Sequence, residues 1–92
     1  MIEIIDYKPL DKGILKASFS ICIEKWGDFI IHGMTLFQKD NQRWISFPSK
    51  EYEFEGKRKY MPYNRFKDSD KAKSFNDKVI AAIDLYLSLN HG

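Results

Sequence analysis

The chain has a single cysteine, Cys22, and therefore can form neither an internal disulfide nor a site of several thiolates around a metal. Its glycines stand singly at 13, 27, 33, 56 and 92, so no glycine-rich loop is available to cradle a phosphate. The two histidines are His32, within a strand-like run, and His91, at the tail, and no spacing brings them and carboxylates to a common face. These shortages point away from catalysis and leave no cofactor or metal to expect. Glu51, Glu53 and Glu55 alternate, but without further oxygen ligands they read as a solvated strand edge. His32 reads as a satisfied structural or interface histidine. No apolar run approaches the roughly 18 residues that span a bilayer, and the opening MIEIIDYKPL lacks the basic-then-apolar layout of a signal peptide. A cytoplasmic location with no membrane partner is expected.

What the chain does have is apolar and aromatic content. Hydrophobic residues make up 43% and aromatic residues 15% of 92 residues, enough for one folded domain over 1–92 and too short for two. Ile2 to Lys8 reads as a first strand, closed by Pro9 and Gly13. In ILKASFSICIEK, Leu15, Ala17, Phe19, Ile21 and Ile23 alternate with polar residues, the period of a half-buried strand. After the turn at Trp26, Gly27 and Asp28, FIIHGMTLFQK is apolar on both parities, with Gly33 marking a bulge or a close backbone contact. RWISFP gives a fourth strand ended by Pro48, and a fifth lies near Lys57 to Phe66 beyond the turn at Glu55 and Gly56.

The remainder predicts a helix, capped by Asp68 or Ser69, with Phe75, Val79, Ala82, Ile83 and Tyr86 at spacings of three and four and with Asn90 and Gly92 suited to its end. The fold class is α+β: an antiparallel sheet of about five strands with one C-terminal helix packed on one face. The opposite face then exposes Phe29, Ile31, Phe37 and Trp44. Homodimerisation through these four is the simplest way to cover them, and stacking on bases the second.

Charge is unevenly spread. Residues 1–40 carry 5 basic and 6 acidic side chains, whereas 57–78 carries 8 basic against Asp68, Asp70 and Asp77, a net +5 within a chain of net +2. The basic set Arg43, Lys50, Lys57, Arg58, Lys59, Arg65, Lys67, Lys71 and Lys73 could neutralise phosphates while Tyr60 and Tyr63 stack on bases. Ordinary solvating charge on a hairpin and a helix is the alternative.

The order of FIIHGMTLF, a polar turn, an apolar strand closed by FPSK, a glycine-bearing turn, a proline-containing strand and a final helix resembles the SpoVG family (stage V sporulation protein G) of small bacterial regulators. The resemblance spans Ile2 to Leu87 and is most specific at Ile30, Ile31 and His32 and at Pro48, Ser49 and Lys50. It implies a sheet-and-helix homodimer that binds DNA and RNA as a regulator. Met61 stands before Pro62 where the family commonly has histidine. RKYMPYNRF also looks like small proteins encoded among phage recombination genes, which implies single-stranded DNA or a host protein as partner. The function expected is thus a non-enzymatic nucleic-acid-binding homodimer, or alternatively a protein-interaction module of phage-adaptor or inhibitor type.

Overall fold

A computed structural model describes residues 1–90; His91, at the tail, and Gly92, read above as suited to the helix end, lie outside them. The architecture is α+β. Strands β1 (Ile2–Lys12), β2 (Leu15–Ile23), β3 (Phe29–Lys39) and β4 (Gln42–Ser46) form an antiparallel sheet in the order β1-β2-β3-β4. A separate antiparallel pair, β5 (Ser49–Phe54) and β6 (Lys57–Pro62), precedes the helix α1 (Ser69–Asn90). The strands number six because Pro48 divides RWISFPSKEYEF into β4 and β5, where the sequence suggested a strand followed by a loop. No helix among the described residues is long and apolar enough to cross a membrane.

Most of the alternation in β2 is realised: Ala17, Phe19, Ile21 and Ile23 are buried against α1, Leu15 is half-buried at the strand's start, and Ser20 on the polar parity is buried as well. They join Ile4, Met34, Leu36, Val79 and Ile83 in the core, where each large side chain contributes about 1.5–3 kcal/mol by leaving water. β1 runs past Pro9 to Lys12, further than predicted. As an edge strand it tolerates a residue without an N–H, and register shifts after Ile5 and Pro9 absorb the irregularity.

Gly33 does what its position suggested. Ile21 pairs with Ile31 and Phe19 with Met34, so two residues of β3, His32 and Gly33, oppose Ser20 alone. Gly33 has φ +79°, which strains any residue with a side chain, and a Cβ there would lie 3.2 Å from Pro48 Cβ, close enough that Pro48 would have to shift. The bulge reverses parity along β3, and that reversal decides which face each apolar residue occupies.

Two helix contacts secure the sheet's β4 edge. Asn76 Oδ1 accepts from the Ile45 N–H at 2.9 Å, and Asp84 takes the Arg43 guanidinium in a two-pronged pair at 2.6 and 2.9 Å. Asn76 thereby satisfies one of the backbone donors that the edge strand turns away from β3. At the other end Asp68 caps the helix, its Oδ1 accepting from the Asp70 N–H at 2.8 Å. Phe47, Phe66 and Phe75 cluster with ring centroids 5.1–6.1 Å apart and anchor the chain between β6 and α1.

Candidate nucleic-acid interface

β5 and β6 leave this body as an arm. All their residues are exposed, and the tie at the root is the Tyr63 N–H donating to the Pro48 carbonyl at 3.0 Å. The chain extends 47 × 30 × 23 Å with a radius of gyration of 14.0 Å, beyond the roughly 12 Å of a compact domain of this length. Glu55 and Gly56, with φ of 52° and 75°, make the two-residue turn at the tip, the left-handed pair that matches the twist of a hairpin.

The pairing register sorts the arm's charges. Lys50 faces Met61, Tyr52 faces Lys59 and Phe54 faces Lys57, so these six side chains share one face. Glu51 faces Tyr60 and Glu53 faces Arg58 on the other. The arm as a whole carries four basic and three acidic residues, but one face holds three lysines and no carboxylate. Lys59 Nζ stands 5.7 Å from the centre of the Phe54 ring. Among the described residues, no ion pair engages Lys50, Lys57 or Lys59.

Several residues expected to act together are thus separated. Arg58 and Tyr60 sit across the arm from the lysines, and the Arg58 Nε is taken by Glu51. The same pairing engages one member of the acidic trio, and Glu55 lies in the turn. Arg43 is not a free cation at all: its donors hold Asp84, and the hydrogen bonds push the guanidinium further up and hold the Asp84 carboxyl below its ordinary range. Arg65 borders the root of the arm on the Tyr60 side, and Tyr63 is exposed just past it. Lys67, Lys71 and Lys73 are exposed, but two residues of helix rotate Lys71 and Lys73 about 200° apart. Conversely, Tyr52 and Phe54, which are not among the residues expected to stack, share the face of the lysines. Their common parity with Lys50 was the available signal, obscured by the glutamates between them.

The four residues expected on one uncovered face also divide. The Gly33 bulge puts Phe29, paired with Ile23, and Ile31, paired with Ile21, on the helix side, whereas Phe37 and Trp44 lie on the open face. Their rings stack at 5.7 Å with an interplanar angle of 12°. That face also carries Ile30, paired with Cys22 and 44% exposed, and Ser20, whose Oγ lies 2.9 Å from His32 Nδ1. Partial burial, then the carboxylates of Asp28, Glu3 and Glu24, push the Cys22 thiol up, away from the reactive thiolate.

The chain matches no family model, no curated protein and no solved structure.

Proposed function

We propose that the chain binds nucleic acid along the lysine and aromatic face of the β5–β6 arm, with unpaired bases preferred. The observation that carries this reading is the sorting of Lys50, Lys57 and Lys59 with Tyr52 and Phe54 onto one exposed face free of carboxylates. The lysines can follow a phosphate backbone while the two rings offer their faces to bases, which only an unpaired strand presents. A two-stranded hairpin is at best marginally stable alone, so a ligand laid along it would also order it. The stacked Phe37–Trp44 pair supports a homodimer through the open face, which would set two arms on one strand. A cytoplasmic regulator of SpoVG type fits these properties.

The test is anisotropy of labelled oligo(dT) and of a duplex across a salt series. Three lysine contacts give a slope of log affinity on log salt of about −2 for a single strand. Lys57→Glu with Lys59→Glu should abolish most binding, whereas Arg58→Glu, on the opposite face, should change it little. Equal losses from the two changes, or no binding at low salt by folded protein, would refute the assignment.

A further inference from the structure

The helix side of the sheet is incompletely covered. Contacts to β1 and β4 hold α1, and the corner formed by the Glu24–Trp26 turn and the start of β3 stays open beside it. Two depressions of about 290 and 570 Å³ meet there, sharing Ile23, Trp26, Phe66 and Phe75, so they form one groove in the size range of ligand sites. Its apolar surface is accessible: Trp26 is 61% exposed, Phe29 52% and Leu85 58%.

The groove has a charge of one sign. Lys25, Arg65 and Lys78 line it, and no acidic residue does, although Glu24 and Asp28 flank Trp26 in the sequence. Helix geometry explains the selection. At about 100° per residue, Lys78, Ala82 and Leu85 fall on the flank of α1 beside the groove, Asp84 falls on the flank that holds Arg43, and Asp70 and Asp77 point outward.

We infer that this groove takes an acidic, apolar segment of a partner protein, whose apolar side chains enter between Trp26 and Leu85 while its carboxylates meet Lys25, Lys78 and Arg65. Three observations favour a peptide over other occupants. The groove is concave and its lining mixes aliphatic Ile23, Ala82 and Leu85 with the rings of Trp26, Phe66 and Phe75, which suits branched and aromatic side chains better than a run of stacked bases. A second copy docked here about a twofold axis would bring the three cations toward their own duplicates, a like-charge arrangement that costs affinity. The lysine face of the arm, by contrast, offers rings in the open and no recess.

The test uses a fluorescein-labelled 12-residue peptide with leucine and phenylalanine at helical spacing and glutamate between them. Controls replace its glutamates by lysine or its apolar residues by serine. Anisotropy should saturate with the acidic peptide alone. Lys25→Glu with Lys78→Glu, both surface changes, should weaken it about tenfold or more, and Leu85→Ser should weaken it too. Lys57→Glu with Lys59→Glu should leave it unchanged, so failure of the nucleic-acid reading and failure of this one are separable. Absence of saturation with protein shown folded by circular dichroism would overturn the inference. So would equal binding of the lysine peptide, displacement by oligo(dT), or a dimer dissolved by Leu85→Ser, which would assign the groove to nucleic acid or to self-association.

Discussion

β2 and the β5–β6 arm share a period of two and use it for different ends. In β2 the alternation separates the apolar core side from a polar, mostly half-buried side, so Phe19 and Ile21 vanish beneath α1. In the arm every position is exposed, and the same alternation separates lysines and rings from glutamates. The sheet is stable because α1 covers most of its apolar face. The arm has no cover within the described residues, its chemistry is turned outward, and its order depends on backbone pairing, the Glu55–Gly56 turn and its root at Pro48. Side chains in the two regions should therefore respond oppositely: core changes should cost stability, and arm changes should cost binding.

The sharpest test of that contrast is Ile83→Ala. Ile83 is fully buried at the centre of α1, and its truncation should cost about 2–5 kcal/mol and lower Tm by more than about 10 °C in calorimetry. Gly33→Ala comes next, at about 1–3 kcal/mol, from a left-handed backbone and a close approach to Pro48. Because Pro48 is the root of the arm, amide hydrogen exchange in β5 should also accelerate in this variant; an unchanged arm would show that the root is set elsewhere.

The Arg43–Asp84 pair gives a smaller, pH-dependent effect. Asp84 is depressed in the folded state, so its contribution is present above the ordinary carboxylate range and fades as pH falls through it. The pair is partly exposed, which limits the contribution to about 1 kcal/mol or less. Asp84→Asn should lower stability by that amount at neutral pH and flatten the acid limb of a pH–stability profile. Smallest of all should be Tyr52→Ala and Phe54→Ala, within about 0.5 kcal/mol on stability since both rings are exposed. On oligo(dT) affinity each should cost about 1–3 kcal/mol, reversing the order set by the core. A large loss of stability from either ring would break the comparison, by showing that the arm packs against something.

Much of the fold was legible because its determinants are local. The parity of Leu15 to Ile23, the bulge at Gly33, the cap at Asp68 and the helical spacing from Phe75 to Tyr86 are written in adjacent residues, and the structure realises each. Less of the candidate site could be read. The basic residues of 57–78 formed one group by sequence distance, whereas pairing register and helix rotation disperse them over the two faces of the arm and several sides of the helix. Arg43 and Asp84 are 41 residues apart, so nothing local reveals that each occupies the other.

The sequence by itself determined that the chain forms an antiparallel sheet and a terminal helix, since alternation, turn residues and caps act within a few positions. Only the tertiary structure decided which side of the sheet Phe29 and Ile31 meet, which arginines keep a free guanidinium, and that Tyr52 and Phe54 join the lysines. Those outcomes depend on register, and register is fixed by a bulge and by pairing between strands, where a shift of one residue turns every following side chain to the other face.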